Sequence, residues 1–119
     1  MYSNEDIALF VELVAEATNP DKIILFGSYA YGNPNEKSDI DLLVIKNGND
    51  ITFDDEAQLS TQVHLRRKQR RIRTRYDVLF RTDRQIRQLT DGSAALIDAL
   101  QRGIVVYERT DSEERSVVL

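Results

Sequence analysis

Two short apolar runs limit the folds open to this chain more than any other feature. The first is Lys-Ile-Ile-Leu-Phe at residues 22–26, and the second is Asp-Ile-Asp-Leu-Leu-Val-Ile at residues 39–45. Apolar runs of this length, bounded by turn residues, are typical of strands buried inside a sheet. The chain is therefore expected to build its core on at least two central strands.

The segments around these runs alternate between helix and strand. Residues 4–17 are predicted to form an amphipathic helix, because its apolar residues share one face: Ile7, Phe10, Val11 and Val14. Further helices are predicted at 54–71, 83–89 and 93–102, and further strands at 73–80 and 103–108. This order of elements predicts an α/β (α+β) fold in which helices flank a small mixed β-sheet.

Length and composition favour one ordinary globular domain. A chain of 119 residues is long enough for one hydrophobic core and short for two. The absence of cysteine excludes disulfides and thiolate metal sites. No segment has the pattern of a membrane span or a signal peptide, so a cytoplasmic protein with no membrane partner is expected. We predict a domain at residues 1–108 and a polar tail at 109–119, and the sequence leaves a homo-oligomer open.

The net charge of −4 is unevenly distributed along the chain. Residues 1–63 carry 12 acidic and 3 basic side chains, whereas residues 64–87 carry 10 of the 16 Lys and Arg residues. Two interpretations are open for this basic stretch. It forms either a solvated helix face or a contact surface for an acidic partner, for nucleotide phosphates or, through residues 66–75, for RNA.

The second apolar run contains two carboxylates where a strand disfavours them. Alternation along a strand points Asp39 and Asp41 to the same side, about 6.6 Å apart along the chain. Two such charges repel each other unless a cation neutralises them or one takes up a proton. Mg²⁺ prefers carboxylate oxygens, so the spacing suits a metal site. The alternative is that Asp39 ends the loop and Asp41 is an exposed acid at a strand edge.

Two further features favour the metal site. Gly27 and Ser28 directly follow the first apolar run, and a glycine turn at the end of a strand presents N–H groups and a hydroxyl to a phosphate. Asp77 lies inside another predicted strand, so the unfavourable placement of Asp occurs again. Three carboxylates and a glycine turn are the groups that metal-assisted phosphoryl chemistry requires.

A Gly-Ser pair, ten intervening residues and Asp-Ile-Asp make up residues 27–41. This spaced motif resembles the signature of the minimal nucleotidyltransferases, the small branch of the DNA polymerase beta superfamily. The resemblance covers about residues 5–108, including the final strand, and implies the polymerase beta-like nucleotidyltransferase fold.

The resemblance also implies the role of each site residue. It places binding of the triphosphate of ATP on Gly27 and Ser28, and catalysis and the binding of two Mg²⁺ ions on Asp39, Asp41 and Asp77. The third acid would also help to activate the attacking hydroxyl. Asp77 is assigned by its strand context alone.

One position departs from the family pattern. Many relatives carry Arg or Lys at the position of Tyr31, which bears no charge here. We expect Lys37, Arg73 or Arg75 to supply the cation, and we expect the two arginines to share a strand face with Asp77. The alternative for these arginines is a salt bridge or a solvated edge.

Small proteins of this family are often antitoxins paired with a helical HEPN-domain toxin, and some transfer AMP from ATP to a tyrosine of that toxin. The resemblance therefore implies a HEPN toxin partner. Larger relatives bind tRNA or an antibiotic through an extra domain that is not expected here, which favours a protein as the acceptor. The alternative is a binding module that neutralises its partner by contact alone and keeps the acids as structure.

Overall fold

The computed structural model describes residues 1–88, 93–109 and 115–117. The helices are α1 (Asn4–Thr18), α2 (Ser28–Tyr31), α3 (Phe53–Gln69), α4 (Asp83–Gln88) and α5 (Ala94–Arg102). The strands are β1 (Lys22–Phe26), β2 (Ile40–Ile45), β3 (Tyr76–Arg81), β4 (Ile104–Arg109) and β5 (Arg115–Val117). They form one sheet in the order β3-β2-β1-β4-β5, in which β2 and β3 are parallel and the other neighbours antiparallel. The predicted mixed sheet flanked by helices is confirmed.

Helices α1 and α3 cover one face of the sheet. Ser3 and Asp6 form a capping box that satisfies free N–H groups at the start of α1. The buried face of α1 contains all four predicted apolar residues, and Val63 is the buried residue of α3. This layer packs on strand side chains that include Ile23, Leu25 and Phe80.

Helices α4 and α5 cover the other face. They bury Ile86, Leu96 and Ala99 against a second set of strand side chains: Ile24, Phe26, Leu43 and Ile45. No helix of the described ranges is both long enough and apolar enough to cross a membrane.

Strand β2 divides its side chains between the two layers. Ile40, Leu42 and Val44 lie in the core beneath α1 and α3, whereas Leu43 lies in the core beneath α4 and α5. The alternation predicted for this strand is confirmed. Asp41 therefore belongs to the face that α4 and α5 cover.

The structure differs from the predicted elements in three places. Strand β3 begins at Tyr76 rather than at residue 73, because Arg71 adopts a left-handed conformation (φ 57°) after α3 ends. Residues 28–31, expected in a loop, form a single helical turn closed by N–H groups that donate to the Gly27 carbonyl. Residues 115–117 pair with β4 as a fifth strand. The sequence does not predict this strand, because three residues in a polar tail are too few to show a pattern. The boundary at residue 108 stays a prediction.

Candidate active site

The predicted site residues meet at the edge of the sheet where β1 ends and β2 and β3 begin. Asp41 is the register partner of Phe26 in antiparallel β1 and of Asp77 in parallel β3. Register partners point to the same face, and neighbouring strands lie about 4.8 Å apart. The backbone thus brings the Asp41 and Asp77 side chains side by side.

Gly27 lies directly against the Asp41 carboxylate. A Cβ atom added to Gly27 would be only 2.1 Å from Oδ2 of Asp41. Gly27 also has a φ of 75°, which residues with a side chain rarely adopt. Ser28 follows at once and is half-buried as the first residue of α2. The glycine turn and the carboxylates therefore form one continuous surface.

The pKa of Asp41 is raised from 3.8 to about 6. Burial is the first cause, and the negative charges of Asp77, Asp39 and Asp98 follow in that order. Three other acidic side chains therefore lie close enough to act on Asp41. We call the four together the acid cleft: Asp39, Asp41, Asp77 and Asp98. A cation placed among them would favour the ionised form of Asp41.

Asp39 lies just before β2 and is partly neutralised. Its Oδ1 accepts a hydrogen bond from Nε of Arg75 at 3.2 Å, and the same guanidinium donates to the Glu36 carbonyl at 2.6 Å. Among the described residues, no three acidic or histidine side chains are arranged closely enough to hold a metal ion. The Asp39 carboxylate is instead held in a salt bridge with Arg75.

The donor chemistry of the acid cleft nevertheless fits Mg²⁺. Asp39, Asp41 and Asp77 offer only carboxylate oxygens, the ligands that this hard ion prefers. Binding would require the Asp39 carboxylate to turn from Arg75 toward Asp41.

Sequence analysis missed two residues at this edge. The hydroxyl of Tyr31 donates a hydrogen bond to the Asp98 carboxylate. The guanidinium of Arg102 covers the Tyr31 ring, with its Cζ 3.6 Å from the ring centroid. The spacing of Asp98 and Arg102 by four residues predicts a shared helix face. Nothing local connects that face to Gly27, since the connection depends on how α5 packs against β1.

The three cations expected to replace a charge at Tyr31 lie elsewhere or have another partner. Arg75 binds Asp39 as described, whereas Arg73 lines a surface groove with Tyr2 and Ile72. The expectation that both share a strand face with Asp77 is wrong, because β3 begins only at Tyr76. The Lys37 side chain is exposed.

The basic segment, residues 66–75, is largely engaged within the fold. Arg66 and Arg70 both pair with Glu16 of α1, and Arg67 donates to the Thr74 carbonyl at 2.9 Å. Lys68, Arg71 and Arg73 have exposed side chains around a groove that Arg67 and Ile72 also line. Within the described part of the chain, these three have no carboxylate partner.

Comparison with solved structures supports the fold. A Sulfolobus solfataricus protein, provisionally named a nucleotidyltransferase, superposes with a TM-score of 0.62 at 20% identity, over 97% of this chain and 86% of the other. A toxin-antitoxin structure with AMP-PNP gives a TM-score of 0.55 at 15% identity, over 91% of this chain and 77% of the other. At these identities the likeness concerns the fold alone.

Sequence comparison gives the family. A Methanocaldococcus jannaschii protein, provisionally named a protein adenylyltransferase, is 49% identical over 45 residues. That match spans 38% of this chain and 42% of the relative's length. The model of the family described as polymerase beta, nucleotidyltransferase, matches residues 9–112. Since that match covers most of the chain, the protein belongs to the polymerase beta nucleotidyltransferase family, as the motif at residues 27–41 predicted.

Proposed function

We propose that this nucleotidyltransferase is a Mg²⁺-dependent protein adenylyltransferase that acts as an antitoxin. It transfers AMP from ATP to a hydroxyl group, specifically that of a tyrosine, on a HEPN-domain toxin. The acceptor oxygen attacks the α-phosphorus of ATP, the bond to the β-phosphate breaks, and pyrophosphate leaves with the negative charge.

The proposal rests chiefly on one observation, the contact of Gly27 with the carboxylate of Asp41 beside Asp77. This contact joins a turn suited to phosphate with two acids that share a register position. A polyphosphate on the turn would therefore lie next to the carboxylates that hold the metal ions.

Each residue of the site has a distinct role in the proposed reaction. Gly27 allows the phosphates to approach the backbone, and Ser28 offers them its hydroxyl. Asp39, Asp41 and Asp77 would hold two Mg²⁺ ions, which would supply positive charge for the transferring phosphoryl group. The exposed Asp77 side chain also accepts the proton of the attacking hydroxyl.

Two of the similar proteins support the choice of acceptor. The Methanocaldococcus jannaschii relative carries the name of a protein adenylyltransferase, and one structural neighbour is a toxin-antitoxin structure with AMP-PNP. The name of the relative supports AMP transfer onto a protein, and the structural neighbour supports a toxin as the partner.

The second candidate is an antitoxin that neutralises its partner by contact alone. Three basic side chains favour it: Lys68, Arg71 and Arg73. They have no carboxylate partner among the described residues, so their positive charge is available to an acidic surface of a partner. RNA is the other polyanion that this surface would attract.

The test uses the product of the neighbouring gene as acceptor. The parent protein and the Asp39→Asn/Asp41→Asn variant are each incubated with ATP, Mg²⁺ and this purified partner, which is then weighed by mass spectrometry. We expect the parent to add the mass of AMP, and the variant to lose this activity by several orders of magnitude. The variant should remain folded, because Asn keeps the size of Asp while removing the repulsion.

Two results would separate the candidates. If the partner gains no nucleotide from the parent and is silenced equally by both forms, the catalytic proposal is wrong and contact alone is the function. If only the parent silences the partner and leaves AMP on it, contact alone is excluded.

A further inference from the structure

Packing of α5 against β1 brings the side chain of Arg102 to the turn that follows β1. The register pairs Leu25 with Ile104, and a Cβ on Gly103 would be only 2.4 Å from Cγ2 of Ile24. The last residue of α5 is therefore fixed at the same end of β1 as Gly27. This close approach explains how a helix distant in sequence reaches the site.

Arg102 contacts the segment 27–32, which we call the Gly27 turn, through the ring of Tyr31. The Tyr31 N–H donates to the Gly27 carbonyl at 3.2 Å, so the ring is attached to the turn itself. The guanidinium lies over this ring, with its Cζ 3.6 Å from the ring centroid. A cation on an aromatic face is held in place while its N–H groups stay available around the edge.

The charge of Arg102 is weakly compensated. Its Nη1 is 3.7 Å from Oδ1 of Asp98, which is at the long end for an ion pair, and 59% of its side chain is exposed. Asp98 meanwhile accepts the hydrogen bond from the Tyr31 hydroxyl. The Gly27 turn itself contains no Lys or Arg.

We propose that Arg102 binds the phosphate groups of the nucleotide at the Gly27 turn, with Tyr31 as its platform and Asp98 as the group that holds both in position. The proposal rests on the proposed function, because it requires a nucleoside triphosphate at this turn. The planar guanidinium suits two phosphate oxygens at once, which a lysine ammonium does not. Arg102 thus supplies a positive charge from α5 that the turn lacks.

The experiment measures binding of ATP and of AMP, each with Mg²⁺, by calorimetry for the parent and for Arg102→Gln. Loss of a charge-assisted hydrogen bond should weaken ATP binding about tenfold or more. The affinity for AMP, which lacks the β- and γ-phosphates, should change less, so the preference for ATP over AMP should fall. Arg102→Lys should restore only part of the affinity.

Arg84→Gln is the matched control. Arg84 pairs with Asp50, its side chain is 60% exposed, and it lies on α4 at the other end of β3. This variant should bind both nucleotides as the parent does. Tyr31→Leu should weaken ATP binding too, and its effect should not add to that of Arg102→Gln, because both act through one contact.

The outcomes separate this proposal from the proposed function. If the parent binds Mg²⁺-ATP and Arg102→Gln binds it as tightly as Arg84→Gln does, the assignment of Arg102 is wrong while the nucleotidyltransferase proposal stands. If the parent binds no nucleotide, both proposals are wrong. If Arg102→Gln lowers the affinity for ATP and AMP by the same factor, Arg102 does not read the polyphosphate and the proposal is overturned.

Discussion

The acid cleft and the basic segment both concentrate charge of one sign, but the fold treats them differently. In the basic segment, Glu16 of α1 pairs with Arg66 of α3 and with Arg70, which directly follows that helix, and so links the two helices. In the acid cleft, Asp41 and Asp77 have no cationic partner among the described residues, and their repulsion contributes to the raised pKa of Asp41. One region uses its charge for packing, whereas the other leaves two of its carboxylates without a cationic partner in the part of the chain that the structure describes.

This difference shows which charge is informative. Surface ion pairs contribute little to stability and are common on helices, so the density of arginine in a sequence says little about function. Carboxylates held together against their repulsion cost free energy, and such a cost is typical of a site that binds a cation or a substrate. The comparison thus favours the cleft, rather than the basic segment, as the place of the chemistry.

Among the further changes that test this comparison, Gly27→Ala is expected to have the largest effect. The new Cβ would overlap Oδ2 of Asp41, so the carboxylate must move, and a displacement of about 1 Å in a catalytic group costs roughly a hundredfold in rate. AMP transfer to the partner, measured with labelled ATP, should fall by at least that factor.

Gly32→Ala is the control for this change. Gly32 also has a positive φ, 84°, but no atom lies within 4 Å of its Cβ position. Both variants should lose about 1–2 kcal/mol of stability from the backbone strain alone. Equal losses of transfer in the two variants would mean that strain, and not the Asp41 carboxylate, explains the effect.

A smaller effect is expected from pH, through Asp41. Its pKa of about 6 lies above the ordinary 3.8, so the folded state holds this proton more tightly than the unfolded state does. In metal-free protein, the contribution of Asp41 to stability is therefore greatest at low pH and is lost as pH rises through about 6. Mg²⁺ requires the carboxylate, so its apparent affinity should fall by up to about tenfold per pH unit below 6.

Titration of the protein with Mg²⁺ between pH 5 and pH 7.5, together with melting curves recorded between pH 4 and pH 7.5, measures both trends. Asp41→Asn should flatten the melting trend and weaken Mg²⁺ at every pH. The raised pKa would be wrongly assigned to Asp41 if the melting temperatures of the parent and of Asp41→Asn rose equally between pH 4 and pH 6.

The smallest effect is expected in the basic segment, where the fold separates two groups of cations. The exposed group consists of Lys68, Arg71 and Arg73. Replacing these three with Gln should slow association with the partner severalfold at low salt. Replacing Arg66 and Arg70 should instead lower stability by about 1 kcal/mol or less and leave the association rate nearer that of the parent.

Association rates measured below and above about 0.15 M salt, where the Debye length is about 8 Å, test this distinction. Rates that do not respond to salt in any form would assign the whole segment to a solvated face. Slower association in the variant that lacks Arg66 and Arg70 than in the other variant would place the docking surface at these two arginines instead.

Much of the fold could be predicted from the sequence because its signals are local. The apolar spacing in α1 and the alternation in β2 each lie within one element, and both were confirmed. The start of β3 was placed three residues early, because Arg73 and Arg75 continue an alternating pattern that a left-handed Arg71 and a buried Thr74 interrupt. A single φ angle of this kind leaves no trace in hydrophobic periodicity.

The candidate site divides in the same way. The motif at residues 27–41 is a local pattern, so Gly27, Ser28, Asp39 and Asp41 could be proposed from the sequence. Asp77 required the parallel pairing of β2 with β3, for which the sequence offered only an acid in a strand. Asp98 and Arg102 required the packing of α5 against β1, which no spacing in the sequence specifies.

The parallel pairing of β2 with β3 also determines where the chain tolerates insertions. Tyr76, Val78 and Phe80 pack toward α1 and α3, so a slip of one residue would exchange them with Asp77 and bury its charge in that core. Adding or removing one residue within β3 would therefore disrupt folding and the site together. The connection at residues 46–52 lies at the opposite end of β2, away from Asp41, so length changes there would leave the alignment of Asp41 with Asp77 intact.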